Sequence, residues 1–334
     1  MKILIVTQVV NTEHPILGFF HRWIEEFAKH YELVHVVCLE EGTHALPANV
    51  TIHSLGKETS KNKFLYLLKF YKQIWQLRGE YDVVFVHMNQ LYVVLGYPVW
   101  KLLRKKIGLW YTHGSTSLSL KIATLLTNRV FTASPDSFKI KSNKVLVTGH
   151  GIDVNHFAPK GLEKDIDLVT VGRIAESKNL IALVDILKVV REKNDVSLTI
   201  VGSAVTDTEK AYEAKLRTHI EKINLTNSVH FIGKVSQSDL PNILNCAKVF
   251  VTVAKNGSLD KAMLEAMACG LPIVSMAEGS RSLPLGRNQA ISQDDLSTAL
   301  YEILGSCNFY IEDYVSYVKD THSLSTLVEK ILIP

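Results

Sequence analysis

LEAMACGLPIV, residues 264–274, decides the fold, because this segment predicts a helix that leads directly into a buried strand. Its first five residues favour a helix, Gly270 suits the left-handed turn that ends one, and Pro272 cannot continue it. Glu265 is the exception in this apolar run, since a carboxylate removed from water needs hydrogen-bond donors. Glu265 either lies on the solvent-exposed side of the helix or accepts hydrogen bonds from hydroxyl groups of a ligand. The second interpretation places it at the carboxyl edge of the sheet, where open α/β sheets bind ligands.

Short apolar runs alternate with helical patterns on both sides of this segment. Residues 2–7 form the first such run, and residues 167–172 open a second series after the loop at 149–161. This alternation predicts βαβ units and parallel sheets, and 334 residues are enough for two domains of ordinary size. The predicted fold class is α/β, with two doubly wound, Rossmann-like domains that face a central cleft. The first domain is predicted at 1–155 and the second at 156–310.

The composition is that of a soluble globular protein, with 47% hydrophobic and 21% charged residues. No apolar run reaches the roughly 18 residues that would span a bilayer, and residues 1–7 predict a strand rather than a signal peptide. The four cysteines have no CxxC spacing, which argues against a zinc site and suits a reducing compartment. We therefore expect a cytoplasmic protein.

Positive charge is concentrated in the first half of the chain. Residues 1–160 contain 19 Lys and Arg against 11 Asp and Glu, whereas the remainder contains 18 against 22. This excess favours an anionic partner, either a membrane surface or a phosphate-bearing acceptor, although scattered surface lysines would give the same count. Residues 57–78 interleave lysines with aromatic residues, and residues 101–106 add a basic cluster, which favours peripheral contact with the inner face of a membrane. Nucleic acid is not an expected partner, because no recognition motif accompanies these lysines.

Two cations follow the first predicted strand of the second domain. Arg173 comes directly after Gly172, and Lys178 precedes the next predicted helix. Cations at the carboxyl end of a strand and ahead of a helix N-terminus form an anion site; the alternative is that both lie on an exposed surface. Gly202 follows the next strand, where a residue without a side chain lets a ligand approach the backbone.

The residues before the helix of Glu265 are polar. Ser258 is predicted to cap this helix, and Asp260 in its first turn suits the helix dipole. Backbone N–H groups at such a helix start can bind phosphate or sugar oxygens, but a plain capped turn explains Ser258 and Asp260 equally well. Lys261 is not explained by capping, because a cation is unfavourable near the positive end of a helix, and this favours a functional role for it.

His113 follows a predicted strand at residues 109–112 and precedes Gly114. This places it at the carboxyl edge of the first sheet, facing the predicted cleft, although a single histidine is more often structural. The chain contains no GxGxxG, Walker A or nucleophile-elbow motif. No cluster of carboxylates indicates a metal site.

The second half of the chain contains four segments in a characteristic order and spacing: VGRI with KNL at 171–180, LTIVG at 198–202, VHFIG at 229–233 and LEAMACGLPIV at 264–274. Together they resemble the donor domain of the retaining glycosyltransferases of family 4, which have the GT-B fold. The first half matches more loosely, through its opening strand, Gly18 and the run Thr112-His113-Gly114.

The resemblance implies transfer of a sugar from a UDP- or GDP-sugar to a glycan or lipid-linked acceptor, with the anomeric configuration retained. Arg173 and Lys178 would hold the diphosphate and stabilise the leaving group. Glu265 would accept the ribose hydroxyls, His113 would line the reaction centre, and no metal or cofactor is expected. Main-chain groups near residues 233–235 would meet the base, and helices at 311–334 would return to the N-terminal domain. The implied donor site consists of Gly18, Gly172, Arg173, Lys178, Gly202, Gly233, Lys234, Val235, Ser258, Leu259, Asp260, Lys261 and Glu265.

The sequence departs from the family pattern at two places. The family has a second glutamate eight positions before the one matched by Glu265, and here that position is Gly257. Asp260 and Lys261 are the candidates to replace its side chain. Residues 275–289 are short and lack the glycine-rich, glutamate-bearing loop of the family. Two alternatives therefore stay open: a non-catalytic nucleotide-sugar binding protein, and a nucleotide-sugar epimerase or hydrolase of the same architecture.

Overall fold

The computed structural model describes residues 1–14, 16–114, 116–255, 257, 259–305 and 311–332. The chain divides into two compact units, unit 1 of residues 1–153 with 321–334 and unit 2 of residues 154–320. Each unit is built on a parallel sheet, as the alternation of strands and helices predicted. The strands are β1 (Lys2–Val10), β2 (Leu33–Glu41), β3 (Val50–Ser54), β4 (Val83–His87), β5 (Lys106–Trp110), β6 (Arg129–Thr132), β7 (Val145–Val147), β8 (Ile166–Val171), β9 (Leu198–Val201), β10 (Val229–Gly233), β11 (Ala247–Thr252) and β12 (Ile273–Ser275). The helices are α1 (Phe20–His30), α2 (Lys63–Gln76), α3 (Gln90–Leu102), α4 (Leu118–Leu126), α5 (Leu180–Arg191), α6 (Asp207–Lys222), α7 (Leu240–Cys246), α8 (Lys261–Ala268), α9 (Gln293–Gly305), α10 (Ile311–His322) and α11 (Leu324–Ile331).

The sheet of unit 1 has the spatial order β3-β2-β1-β4-β5-β6-β7. β1 is an interior strand of this sheet, with Ile3, Leu4, Ile5 and Val6 completely buried, and it pairs in parallel with β2 on one side and β4 on the other. A strand that is apolar on both faces needs cover on both faces, which is the arrangement of parallel sheets. The strand order reverses between β1 and β4, and this gap is the switch point of unit 1.

Helices cover both faces of this sheet. On one face α1 and α11 share a core, in which Trp23 and Phe27 of α1 pack with Leu327 of α11. On the other face α2, α3 and α4 lie side by side over a second core that contains Phe70 and Trp100. None of the helices in the described ranges is long and apolar enough to cross a membrane.

Unit 2 has a smaller parallel sheet in the spatial order β10-β9-β8-β11-β12. α5, α6 and α9 cover one of its faces and share a core that includes Leu187, Leu216 and Leu300. α7 and α8 pack against each other, α7 also against β8 and β11, and α8 also against β12. Residues 262–268 of α8 are all buried, which agrees with the apolar composition of this helix.

Residues 264–274 form the predicted helix and strand, with α8 followed by β12. Gly270 has a φ of +70°, and its N–H donates to the carbonyl of Met267 at 2.9 Å. The N–H of Leu271 donates to the carbonyl of Ala266 at 3.0 Å. These two bonds are the Schellman pattern that ends a helix at a glycine, so this prediction is confirmed.

The C-terminal segment 311–334 was predicted to pack entirely on the N-terminal domain, and this is wrong for its first part. Residues up to 320 belong to unit 2. There Val318 is fully buried and Tyr314 is also buried. Residues 321–334 belong to unit 1.

The first division of the chain lies after Asp153 rather than after residue 155. Ile152 still belongs to unit 1, because its N–H donates to the carbonyl of His322 and its carbonyl accepts from the N–H of Leu324, each at 2.8 Å. The two points at which the chain connects unit 1 to unit 2, after residue 153 and before residue 321, are therefore neighbours within unit 1.

Candidate active site

The strand order of unit 2 reverses between β8 and β11, since β9 and β10 lie on one side of this gap and β12 on the other. Open α/β sheets bind ligands at such a switch point, outside the carboxyl ends of the strands. Arg173 and Lys178 follow β8, and Asp260 and Lys261 follow β11. Three of the residues predicted for the donor site therefore lie on the two connections that flank the switch point, and Lys261 begins the helix that follows the second one.

Three glycines lie at the carboxyl ends of neighbouring strands. Gly172, Gly202 and Gly233 have φ values of +148°, +138° and +72°, which other residues rarely adopt. The N–H of Gly202 donates to the carbonyl of Gly233 at 2.8 Å, and a Cβ on Gly202 would lie 1.9 Å from the carbonyl oxygen of Gly172. Gly202 is thus required by the backbone packing of the strand ends, independently of any ligand.

The ammonium group of Lys178 forms an ion pair with the carboxylate of Asp260. Only 16% of the Lys178 side chain and 14% of the Asp260 side chain are exposed, so water screens this pair less than a surface pair. The lysine side chain passes over the end of β8 next to Gly172. A Cβ on Gly172 would lie 2.6 Å from Cε of Lys178, so a larger residue at position 172 would clash with the lysine. A backbone bond from Lys255 to the carbonyl of Ser177, at 2.9 Å, also joins the two loops.

Arg173 is anchored by Glu209 of α6. Its Nη1 donates to Glu209 Oε1 at 2.8 Å, while 55% of the arginine side chain stays exposed. Glu209 Oε2 accepts the N–H groups of Val205 and Thr206 at 2.8 and 3.0 Å, and the Thr206 hydroxyl completes a capping box. The N–H groups of Thr206 and Val205 hold the pKa of Glu209 below its ordinary value, and the charge of Arg173 lowers it further. One edge of the guanidinium is therefore fixed while the rest is open to a ligand.

Glu265 lies inside unit 2, with 3% of the residue exposed, and not at a wet edge of α8. The ammonium of Lys261, one turn earlier in the helix, pairs with its carboxylate. The same ammonium lies 5.9 Å from the centre of the Phe157 ring. A buried carboxylate needs a compensating cation, and this explains why a lysine occupies the first turn of α8 in spite of the helix dipole.

Asp260 is the residue that caps α8. Its backbone is extended, and its Oδ1 accepts the N–H of Ala262 at 3.2 Å. The prediction that Asp260 lies within the first turn is therefore wrong, because the helix begins one residue later. Ser258, the predicted cap, lies outside the described residues, and Leu259 between them is buried.

Asp260 and Lys261, the candidates to replace the glutamate missing at position 257, each have a partner of opposite charge in unit 2. Asp260 both caps α8 and pairs with Lys178. Lys261 pairs with Glu265. Both side chains are held by contacts within unit 2.

The residues expected to meet a nucleotide base follow β10. Lys234 is exposed and Val235 is half-buried. β10 is the edge strand on this side of the sheet, and β9 separates it from β8. These residues therefore lie at the same edge of the sheet as the cations, two strands from β8.

Gly18 and His113 lie in unit 1, at the carboxyl edge of its sheet. Gly18 is in the loop after β1, and a Cβ there would lie 2.7 Å from the carbonyl oxygen of Thr12. His113 follows β5, which ends at residue 110 and not at the predicted residue 112. It is exposed, and its ring meets that of Tyr111 edge-on at 5.7 Å between centroids. β4 lies between β1 and β5, so the two predicted residues follow strands that flank it.

Sequence reasoning missed Glu209. The pattern Thr206-x-x-Glu209 before a charged helix is the signature of a capping box, and it could have identified this carboxylate as fixed at a helix start. Its second role as the partner of Arg173 has no local signal, because the two residues are 36 positions apart.

Both positively and negatively charged side chains lie at the switch point. Across the described ranges, no group of three or more His, Cys, Asp or Glu residues is placed to hold a metal ion. Arg173, Lys178 and Lys261 supply the positive charge, and in each case one nearby carboxylate pairs with it. This arrangement can bind an anion if the ligand displaces or shares those carboxylates.

Comparison with protein families gives two matches that lie one after the other along the chain. Residues 10–126 match a family described as glycosyl transferase 4-like. Residues 153–282 match the family described as glycosyl transferases group 1. The second match contains the whole switch-point site of unit 2.

Curated relatives are similar over part of their length. Mannosylfructose-phosphate synthase of Agrobacterium fabrum is 25% identical over 170 residues, which are 46% of this chain and 37% of that protein. The UDP-Gal:alpha-D-GlcNAc-diphosphoundecaprenol alpha-1,3-galactosyltransferase of Escherichia coli is 30% identical over 158 residues, which are 42% of this chain and 38% of that protein. The matches thus span little more than a third of the length of these relatives.

Solved structures are similar over almost the entire chain. HepE from Anabaena in complex with UDP has a TM-score of 0.78 and 18% identity, over 99% of this chain and 98% of that chain. Sucrose-phosphate synthase from Thermosynechococcus elongatus has a TM-score of 0.75 and 15% identity, over 98% and 97%. These similarities show the fold, and the two family matches cover most of the sequence between them. The chain belongs to the family-4 glycosyltransferases with the GT-B fold.

Proposed function

We propose that this chain transfers a sugar from a nucleotide-sugar donor to a glycan or lipid-linked acceptor, with retention of the anomeric configuration and without a metal ion. The observation that carries the proposal is the placement of Lys178, paired with Asp260, across the switch point of unit 2. A lysine at the carboxyl end of a parallel strand, ahead of a helix N-terminus, is suited to a phosphate group. Arg173 adds a second cation on the same loop.

UDP is the nucleotide that the proposal favours, with GDP as the second choice. HepE, which shares the fold, is described in complexes with UDP and with UDP-glucose. The galactosyltransferase relative is named for a UDP-galactose donor. Neither name fixes the sugar for this chain, so we treat glucose and galactose as the first two to test.

Each residue has a role in this proposal. Arg173 and Lys178 stabilise the negative charge that grows on the diphosphate as the sugar departs, an effect that is worth a few kcal/mol per contact. Glu265 accepts hydrogen bonds from the hydroxyl groups of the ribose, and main-chain groups near Gly233 contact the base. In unit 1, His113 lines the site of the reacting sugar.

A membrane surface is part of the proposal because of the exposed side chains on α2, α3 and α4. Of the eighteen large hydrophobic residues exposed in the described chain, nine lie on these three adjacent helices. The three helices contain five lysines and no Asp or Glu. An apolar surface with basic residues is suited to a bilayer with anionic lipids. We call it the α2–α4 surface: Phe64, Leu65, Leu68, Trp75, Leu91, Leu102, Leu118, Ile122 and Leu125.

The α2–α4 surface favours a lipid-linked acceptor and a location at the inner face of the cytoplasmic membrane. A protein held at the surface by side chains of unit 1 would meet an acceptor whose lipid part stays in the bilayer. The basic residues would add attraction to anionic lipid that weakens as salt screens it.

The proposal is tested first by nucleotide binding and then by turnover. UDP, GDP and ADP are compared by the melting temperature of the protein, which a bound nucleotide raises by mass action. UDP release from UDP-glucose and UDP-galactose is then measured with and without EDTA. We expect a selective shift with UDP and turnover that EDTA does not reduce. Absence of a shift with all three nucleotides would overturn the proposed site, and loss of turnover in EDTA would overturn its metal independence.

The two alternatives predict other products. A non-catalytic binding protein would bind UDP and UDP-sugars but release no UDP from either. An epimerase would interconvert UDP-glucose and UDP-galactose with no acceptor present, which analysis of the nucleotide-sugars alone would detect. A transferase changes the acceptor, and NMR of the new linkage shows whether the anomeric configuration is retained.

A further inference from the structure

Glu278 lies three residues after the end of β12, at the start of a short 3-10 helix at Glu278–Ser280. β12 pairs in parallel with β11, and the carboxyl end of β11 borders the switch point. The carboxyl group of Glu278 therefore belongs to the same edge of unit 2 as Lys178 and Asp260. Its side chain is exposed, while the two residues after it are buried.

The carboxylate of Glu278 points to Gly257. A Cβ added to Gly257 would lie 3.6 Å from Glu278 Oε2, and no other described atom would lie within 4 Å of it. Gly257 lies on the loop that joins β11 to α8, three residues before Asp260. The absence of a side chain at 257 therefore leaves space that the Glu278 carboxylate borders, at the position where the sequence lacks the second glutamate of the family.

Glu278 differs from the other carboxylates of the site. Glu209, Asp260 and Glu265 each form an ion pair with a cation. Within the part of the chain that the structure describes, Glu278 has no such partner, and its carboxylate accepts no hydrogen bond. A carboxylate offers acceptor sites only, so its natural partners are O–H and N–H donors.

Charge decides which part of a nucleotide-sugar can face this carboxylate. The two phosphate groups are anionic and would be repelled, at a cost that rises as water is excluded. The hydroxyl groups of a sugar are neutral donors, and a charged acceptor makes stronger hydrogen bonds with them than a neutral one. Glu278 thus favours the sugar end of the donor, with the diphosphate at Arg173 and Lys178.

The backbone that carries Glu278 is fixed by hydrogen bonds. The hydroxyl of Ser280 donates to the carbonyl of Ala277 at 2.7 Å, and the N–H of Ala277 donates to Ser275 Oγ at 3.1 Å. The hydroxyls of Ser275 and Ser280 lie 2.7 Å apart, and Ser280 Oγ also lies 2.6 Å from Gln289 Oε1. A side chain on such a support has little freedom except its own rotamers, which is what a binding group needs.

We propose that Glu278 binds hydroxyl groups of the donor sugar and supplies, from the loop after β12, the carboxylate that position 257 lacks. This inference rests on the proposed function, because it assumes a nucleotide-sugar at the switch point. It makes Glu278 a determinant of sugar recognition rather than of nucleotide recognition.

The experiment compares the affinities of UDP and UDP-glucose by calorimetry, with UDP-galactose as the second sugar. In Glu278→Gln we expect the affinity for the better UDP-sugar to fall about 10-fold, the value of one hydrogen bond to a charged group, and the affinity for UDP to stay unchanged. Glu192→Gln is the matched control, because Glu192 is exposed at the other end of α5 and distant from the strand ends of the switch point. The inference is overturned if Glu278→Gln leaves both affinities unchanged or lowers both equally.

A second variant moves the carboxylate back to the loop after β11. Among the described atoms, only Glu278 Oε2 would lie within 4 Å of a Cβ at Gly257, so a glutamate there has room for its side chain once Glu278 is replaced. Adding Gly257→Glu to Glu278→Gln should restore most of the lost UDP-sugar affinity, and a double variant no better than Glu278→Gln argues against a shared site. These binding assays do not depend on turnover. If the protein binds as expected but transfers no sugar, the proposed function fails while the role of Glu278 stands.

Discussion

Lys178 and Asp260 are 82 positions apart in the sequence, yet they form an ion pair that joins the loops after β8 and β11. The pair is largely shielded from water, and it lies where the strand order of unit 2 reverses. Asp260 also caps α8, so one carboxylate fixes both a helix start and the cation. A diphosphate that binds here must share the ammonium with Asp260 or take it over.

Replacement of Lys178 by alanine should weaken UDP binding by about 10- to 100-fold, the range expected for hydrogen bonds to a charged group. Calorimetry with UDP measures this directly. Lys188→Ala is the matched control, because Lys188 is an exposed lysine near the other end of α5. Equal affinity of Lys178→Ala and Lys188→Ala for UDP would remove Lys178 from the phosphate site.

Replacement of Gly202 by alanine should destabilise unit 2 more than the same change at Gly233. At Gly202 the new Cβ would lie 1.9 Å from the carbonyl oxygen of Gly172, at a φ of +138°, and we expect a loss of about 2–4 kcal/mol in the free energy of unfolding. At Gly233 no described atom lies within 4 Å, so only its φ of +72° is unfavourable, at about 1 kcal/mol.

Far-ultraviolet circular dichroism in a denaturant titration measures this difference. All four Trp residues belong to unit 1, at positions 23, 75, 100 and 110, so tryptophan fluorescence reports that unit alone and serves as the internal control. A similar loss for both variants would mean that the contact between the ends of β8 and β9 is not what requires a glycine.

The positions of the cations could be predicted from the sequence, but their partners could not. Arg173 and Lys178 follow an apolar run, and a parallel strand places its loop at the ligand-binding edge. Glu209 and Asp260 reach them only after α6 and β11 have packed into unit 2. A local pattern holds no information on such pairs, because they depend on the order of strands in the sheet.

The residue that caps α8 could not be predicted from the local sequence either. Ser258 and Asp260 both belong to the residue types that cap helices. Burial of residues 262–268 decides the register of the helix, so α8 begins at Lys261 and Asp260 becomes the cap. The Glu278 carboxylate near Gly257 is a further case, since it needs β12 to lie next to β11.

Unit 1 should lose stability as the pH falls below about 6.5, because His87 is buried as a neutral imidazole. Its ring stacks on Phe20, its Nδ1 lies 3.2 Å from Thr7 Oγ1, and burial lowers its pKa to about 3. His322, also in unit 1, has a pKa lowered to about 4 by burial. The unfolded chain takes up a proton on His87 below pH 6.5, whereas the folded chain does not until about pH 3. The free energy of unfolding therefore falls by up to about 1.4 kcal/mol per pH unit and per histidine in this window.

Urea titrations followed by tryptophan fluorescence at pH 7, 6 and 5 test this expectation. The double variant Thr7→Val with His87→Phe removes the titrating ring and its hydroxyl partner together, so no buried hydroxyl is left without its histidine. The variant should show a smaller loss of stability between pH 7 and pH 5 than the native chain. An identical slope in both proteins would assign the acid sensitivity of unit 1 to other groups.

The α2–α4 surface should bind vesicles that contain an anionic lipid and should not bind vesicles of zwitterionic lipid alone. Phe64, Leu68 and Trp75 are exposed along α2, with Lys72 exposed on the same helix. Replacement of the three apolar residues by serine should lower the bound fraction in sedimentation at least about 10-fold, since a fully buried large apolar side chain contributes about 1.5–3 kcal/mol.

High salt should also reduce binding of the native chain, because it screens the lysines. Serine at Val189, Val205 and Ile291, three exposed apolar residues of unit 2, is the matched control. Binding that neither salt nor the α2 variant changes would show that the α2–α4 surface does not contact lipid.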